Sequence, residues 1–477
     1  MGVLAAALAG ACAPVAAANP VASGDHPDPS LIRAGDAWYA TSTSSDWLPA
    51  FPILRSADFG HWRQMGAVLT QRPRWAARDF WAPELVRRGA LVFAYYAAEA
   101  RDGRRCLGVA SAPRLLGPYS DHGPILCTRV GEIDPLPVQD EQGAPWLVWK
   151  QDGNSLGRPT PILAAPLAPG GTSLATPPQE LFRGDQPWEH HIVEAPALLR
   201  HEGTFYMLYS AAYCCGSHCG YATGVARAPT LLGPWEKRPE PILTSDSAFR
   251  CPGHVSVARG RDGELVAAYH AYVRGDPADR QLFVAPLHFD VEGWPRLSPA
   301  HGLAAHPAAR RFAFGGELGE GWQWPAGPRP AAEVADGRLV LGPGALAQQA
   351  GSARFTATAV VSATRAGARP GLAVMSAGGN DVGVELRGRR VAAWRSVEGH
   401  RSEATVRAHP RCCRSQVELR VSVGAHVRLA VRAGGRWRAV GGPQPLPRWA
   451  SGPRAALTVA GPRGARAEFD SLAIDPG

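Results

Sequence analysis

Five ionisable side chains, Asp28, Glu84, Asp134, Glu194 and His254, each open a short apolar segment, and they recur every 50–60 residues. Typical segments are Asp28-Pro29-Ser30-Leu31-Ile32, Pro83-Glu84-Leu85-Val86 and His254-Val255-Ser256-Val257. Gathered at one place, such groups would repel or desolvate one another unless a function required them, because buried charge is costly. Paired carboxylates in a concave site suit cleavage of an acetal. One must hold a proton for the leaving oxygen, and another must be ionised to activate water. Glu194 lies in the apolar stretch Ile192-Val193-Glu194-Ala195-Pro196, which favours its neutral form and makes it the candidate acid. Asp28, between Pro27 and Pro29, is the candidate base. Asp134, between Ile133 and Pro135, is a third carboxylate whose charge would raise the pKa of the acid.

A repeating set of strands is what would bring these residues together. An apolar, aromatic-rich segment follows a Gly-containing turn five times: Trp38–Thr41, Leu91–Tyr95, Trp146–Trp149, Phe205–Tyr209 and Leu265–Tyr269. A second element keeps the same phase. Leu115-Leu116-Gly117-Pro118-Tyr119 leads to Pro124-Ile125-Leu126, and Leu231-Leu232-Gly233-Pro234-Trp235 leads to Pro241-Ile242-Leu243. Helical periodicity is nearly absent. Repeats of this length read as four-stranded blades. The fold class is therefore all-β, with a five-bladed β-propeller over residues 19–303. The ionisable residues then head the innermost strands and converge at one mouth of the axis. Blades one and four are not neighbours, so a gap of roughly 6.5–9.5 Å between base and acid is expected, with inversion at the sugar carbon.

Composition narrows the class. Length alone, 477 residues, argues for two folding units. No stretch is long enough to span a membrane. Lys150 and Lys237 are the only lysines. From Arg310 onward there are 24 Arg against 12 acidic residues, while the preceding part carries a slight negative balance. These arginines are scattered among strand segments and form no basic run, so no nucleic-acid partner is expected. The sequence sets no oligomeric state. Residues 1–18 are small and apolar and end in Ala16-Ala17-Ala18, which reads as a signal peptide. Leu8-Ala9-Gly10-Ala11-Cys12 also resembles a lipoprotein box. Export, to the periplasm or beyond the cell, is the expectation. Beyond Cys12 eight cysteines remain, an even number that suits disulfides in an exported chain, with pairing open. Cys214, Cys215 and Cys219 crowd one loop, and Cys412 and Cys413 another; disulfide or free thiol is favoured there over zinc.

His26-Pro27-Asp28-Pro29-Ser30, Trp81-Ala82-Pro83-Glu84, Ile133-Asp134-Pro135, Val193-Glu194-Ala195-Pro196 and Pro252-Gly253-His254-Val255-Ser256-Val257 together resemble glycoside hydrolase family 43. The resemblance implies an inverting enzyme of the β-xylosidase or α-L-arabinofuranosidase kind acting on pentose-containing polysaccharide or oligosaccharide. An endo-1,5-α-L-arabinanase and a catalytically idle glycan-binding propeller are the alternatives. It implies Asp28 as general base, Asp134 as pKa modulator and Glu194 as general acid. No cofactor is required. His254 matches a histidine found near an axial ion in many members, so it is read either as a partner of calcium held through waters or as a plain hydrogen-bonding histidine. Family members often carry Asp where Glu84 stands and Gly where Ala195 stands. Trp81, Glu84, Phe51, Trp188 and Arg280 are the candidate substrate contacts, the aromatics because sugar rings stack on aromatic faces.

Residues 310–477 alternate apolar and polar residues, as in Phe355–Val361 and Val417–Val423, and read as a β-sandwich. Residues 304–309 are the expected linker. Trp322-Gln323-Trp324, Gly371–Val374 and Ala467–Asp470 resemble the concanavalin-like domain that follows many family 43 propellers.

Overall fold

A computed structural model describes residues 19–216, 218–299, 308–408, 416–432, 435–446 and 452–477. The leader with Cys12, most of the expected linker, Cys412 and Cys413 lie outside the described residues. Five four-stranded antiparallel sheets come first, each adding its strands in chain order. Their first strands begin at Ser30, Ala76, Glu132, Val193 and Phe249. These strands touch in a closed ring, first to second and onward until the fifth meets the first. The Gly-preceded segments of the sequence become the second strands, Ala37–Thr41, Leu91–Ala100, Pro145–Gln151, Thr204–Ala211 and Leu265–Val273. Apolar side chains of adjacent blades fill the space between sheets. Phe182 of blade three packs on Tyr209 of blade four at 5.2 Å, and Phe249 on Phe283 within blade five at 5.4 Å.

The inner strands share a local irregularity that sets the axis. Asp28, Ala82, Asp134, Ala195 and His254 all hold left-handed backbone conformations, with φ between 46° and 56°. Non-glycine residues adopt this region at a cost and persist there only when the surroundings impose it. In blades two to five the ladder slips register there, as at Ile133/Leu136 and Glu194/Ala197. A slip of this kind frees a backbone N–H that needs a partner. At four of the five positions that partner is a side chain of the preceding blade. Ala82 N–H donates to Thr43 Oγ1 (2.7 Å), Ala195 to Asp134 Oδ2 (2.9 Å), His254 to Ser210 Oγ (2.7 Å) and Asp28 to His270 Nδ1 (3.0 Å). The blades are thus sewn together at the level where the polar side chains emerge.

The tail forms an eight-stranded and a six-stranded antiparallel sheet. Phe355, Ala357 and Leu419 of one sheet and Leu372, Val384 and Leu457 of the other share one buried cluster, so the two sheets form a sandwich. That cluster continues into Leu48, Phe51 and Phe80 of the propeller. Trp324–Pro325 adds a short strand to Trp47–Leu48 of blade one. Arg454, 1 % exposed, donates to Gln323 Oε1 (2.9 Å), lies 3.6 Å from Asp25 and covers the Trp47 ring. The tail is thereby fastened to the first blade.

Replacing Ser210, which is fully buried, with alanine leaves the His254 N–H without its acceptor. Ser210→Ala should cost about 1–3 kcal/mol. Urea unfolding followed by tryptophan fluorescence reads this as a lower midpoint at unchanged slope.

Candidate active site

The left-handed residues decide which side chains meet. At one mouth of the propeller lies a cavity of about 490 Å³ lined by Asp28, Asp134, Glu194, His254, Arg280 and Trp81. Glu84 is not among its lining residues. The left-handed position of blade two is Ala82, so Glu84 sits two residues beyond it and lines the opposite opening of the axis. There it accepts from Ser30 Oγ at 2.6 Å, and burial, opposed by the Ser30 and Ser256 hydrogen bonds, pushes its carboxyl up to about 7. In blade four the left-handed residue is Ala195, and Glu194 precedes it by one.

Phe51 and Trp188 also lie away from the cavity. Phe51 is fully buried and packs on Phe80 and Tyr96. Trp188 stacks on Tyr209, and its indole N–H donates to Gln186. Both are held by core packing, which an aromatic residue in an apolar stretch achieves as readily as a ligand contact. Trp81 lines the cavity, with the Arg105 guanidinium 4.4 Å from its ring centre.

Asp28 is surrounded by cations and donors. Arg280 Nη1 donates to its Oδ1 at 3.1 Å, and His254 Nδ1 lies 3.4 Å from the same oxygen. Burial would raise this carboxyl, but Arg280 and His254, aided by Thr43, outweigh it and hold Asp28 well below the usual carboxylate range. His270 also comes within 3.3 Å of Oδ1, yet its Nδ1 accepts the Asp28 N–H. Burial and the nearby Arg280 keep the His270 ring neutral, so this contact is no ion pair.

Asp134 has the opposite balance. Burial, together with the Glu194 and Asp28 carboxylates, lifts it to about 6 against the opposing pull of His254 and Lys150. Its Oδ2 accepts the Ala195 N–H, which ties it to the residue after Glu194. Lys150, 1 % exposed, donates to Glu194 Oε2 at 2.6 Å and lies 3.1 Å from Asp152. Tyr221 stands beside Glu194 as well; burial and the three carboxylates keep it a phenol. The partners of the Glu194 carboxyl are therefore a cation and a phenol rather than Ile192 and Ala195, which flank it in the chain. Gly253 makes room for Tyr221, since a Cβ there would stand 2.3 Å from its ring.

Sequence reasoning passed over Lys150, Tyr221, Asp46, Asp79 and Arg105. Lys150 had a signal, being one of two lysines in an arginine-rich chain and closing the strand segment Trp146–Trp149. Asp79 is lifted to about 6 by burial and by Asp46, against Arg105 at 3.0 Å. Asp46 Oδ2 accepts the N–H of Gly378, a tail residue that also lines the cavity. Calcium takes six to eight oxygen ligands. Asp28, the carboxylate beside His254, already accepts from Arg280, and no group of three or more His, Cys, Asp or Glu that could hold a metal occurs among the described residues. A calcium ion beside His254 would therefore take most of its oxygen ligands from water.

A model of glycosyl hydrolases family 43 matches residues 17–295. The chain is 26 % identical over 367 residues to a xylosidase/arabinosidase of Humicola insolens, covering 68 % of this chain and 65 % of that one. It is 26 % identical over 302 residues to an extracellular exo-α-(1→5)-L-arabinofuranosidase of Cellvibrio japonicus, covering 57 % of this chain and 85 % of that one. The crystal structure of a xylan β-1,4-xylosidase from Bacillus halodurans superposes with a TM-score of 0.79 at 20 % identity. That match covers 96 % of this chain and all of the other, and it shows the shared propeller-plus-sandwich fold.

The Asp134 carboxyl should titrate near 6 rather than near 4. Carbon-13 NMR of carboxyl-labelled aspartate reads this directly. Lys150→Gln should move that titration upward, because the ammonium now holds it down. A folded-state pKa above the unfolded value means the folded protein binds the proton more tightly, so the contribution of Asp134 to stability falls as pH rises from about 4 to about 6.

Proposed function

Because the chain belongs to glycosyl hydrolases family 43, we propose that it is an exo-acting, inverting hydrolase releasing xylose or arabinose units from plant oligosaccharide or polysaccharide. The observation that carries this reading is the unequal treatment of carboxylates within one cavity. Asp28, held ionised by Arg280 and His254, activates water as the general base. Glu194, on a blade that is not a neighbour of the first, donates its proton to the leaving oxygen. Asp134 holds the Ala195 N–H and so orients the acid-bearing strand, and its charge sits beside Glu194. Lys150 receives the negative charge left on Glu194 after the transfer, at 2.6 Å. Water enters from the Asp28 side as the leaving group departs on the Glu194 side, which gives inversion.

Exo action is supported by the cavity edge. Gly378 of the tail is hydrogen-bonded to Asp46 at 2.9 Å and closes one side of the opening. A walled pocket admits a chain end, whereas the middle of a chain needs an open groove. Residues 19–303 are read as the catalytic unit and residues 310–477 as the unit that supplies this wall. Export is the proposed destiny of the chain. The Cellvibrio japonicus relative is extracellular, and the three disulfides found here suit an oxidising compartment.

Glu194→Gln and Asp28→Asn should each lower kcat on aryl pentosides by about 10²–10⁴-fold, the range general acid–base catalysis supplies. Proton NMR of the first-formed sugar should show the anomer opposite to that of the substrate. Full activity of Glu194→Gln would remove the acid from its role. Arg280→Met should also lower kcat/KM and raise the acid limb of its pH profile, since the guanidinium is the strongest influence holding the Asp28 carboxyl down.

A further inference from the structure

Most groups lining the cavity are charged or strongly polar, yet a sugar ring presents a C–H face that needs apolar surface. Trp81 offers one such surface from blade two. Ile133 adds a smaller one from blade three, and a third comes from an unusual source. Cys214 and Cys215, neighbours in the chain, are joined by a disulfide, and both line the cavity. Cys214 is half-buried and Cys215 exposed. The bridged pair closes a small ring with two sulfurs side by side, a polarisable face that neither donates strongly nor accepts strongly.

The position of this ring is fixed on both sides. It belongs to the loop between the second and third strands of blade four, Thr204–Ala211 and Ala222–Ala228, the blade that carries Glu194. Four residues further on, a second disulfide, Cys219–Cys251, staples the loop to the first strand of blade five. Cys214 and Cys219 pack on the buried cluster of Tyr221, Cys251 and Tyr272. The loop is therefore anchored against the tyrosine beside Glu194.

Resting on the hydrolase reading above, we propose that the Cys214–Cys215 bridge is the platform for the leaving-group sugar. The acid has to face the oxygen that departs, so the departing sugar lies on the blade-four side, where the bridge is. Asn154 and Ser155, from the adjoining turn of blade three, line the same cavity and add polar groups to it, with the Ser155 hydroxyl donating to the Asp152 carbonyl. The bridge is thus a specificity-determining element that favours a saccharide leaving group, and it does not take part in bond cleavage.

The test compares two substrates with the same glycone: a pentose disaccharide, whose leaving group is a sugar, and the matching pentosyl fluoride, whose leaving group is one atom. In the Cys214→Ser/Cys215→Ser variant, KM for the disaccharide should rise about tenfold with kcat within twofold, while kcat/KM for the fluoride stays within twofold. A second arm needs no variant. Mild reduction of the wild type with a phosphine should open this exposed bridge before Cys106–Cys127 and Cys219–Cys251, where Cys106 and Cys251 are buried. Mass-mapped opening should raise KM for the disaccharide, and reoxidation should restore it. An unchanged disaccharide KM after verified loss of the bridge, or equal losses on both substrates, overturns the proposal. Wild-type protein that turns over neither substrate overturns the hydrolase reading, and this proposal with it.

Discussion

The site depends on five backbone positions held in a conformation that most residues avoid. Where the inner strands crowd toward the axis, each blade holds a left-handed residue, and in blades two to five the ladder loses register there. The N–H released at that point is taken up by a side chain from the adjacent blade at four places. Two roles converge in these contacts. They hold the blades in a closed ring, and they fix the level at which side chains enter the cavity. Asp134 plays both parts, as the acceptor that joins blade three to blade four and as a member of the carboxylate group. Aspartate tolerates the left-handed region better than most residues, which reconciles its chemistry with its backbone.

Around that ring, charge is compensated pair by pair. Asp28 is answered by Arg280 and His254, Glu194 by Lys150, and Asp79 by Arg105. The chain's other lysine serves similarly, since Lys237 reaches the fully buried Glu189 at 2.8 Å. Burial lifts Asp134, as it lifts Asp79 and Glu84, because the neighbouring cations and donors do not fully offset it. Removing one partner of such a pair leaves an unanswered buried charge, which costs more than the pair itself contributes.

Much of this was legible in the chain. The Gly turns gave the second strands, and the Leu-Gly-Pro-aromatic motifs ended at Tyr119 and Trp235, just before the outer strands Ser120–Cys127 and Glu236–Lys237. Asp28, Asp134, Glu194 and His254 were readable because each stands beside a short apolar segment, and in the structure each lies at, or one residue before, the left-handed position of its blade. Glu84 was misplaced because the repeat was aligned on charge. The prolines are the truer ruler: Pro29, Pro83, Pro135 and Pro196 each follow the left-handed residue directly, and on that scale Glu84 aligns with Ser30 and Leu136. A shift of two keeps the side chain on the same face but moves it along the axis to the other opening. Phe51 could not be separated from a ligand-stacking aromatic by sequence, because burial and stacking select the same side chain. Lys150 reaches Glu194 across blades and Tyr221 approaches it from a loop of the same blade, and no local pattern announces contacts between residues so far apart in the chain.

The bond from Gly378 to Asp46 has a reach beyond its strength. Asp46 also receives the Asp79 N–H on its other carboxylate oxygen, and its own carbonyl accepts the N–H of Ala326. One residue of blade one is therefore clasped by two separate segments of the sandwich. A propeller expressed without its partner module would keep its acid and base yet expose Asp46 and Asp79 to each other at an unfenced rim. The two halves are not interchangeable parts: transplanting the sandwich onto another propeller would carry a piece of the first enzyme's doorway with it.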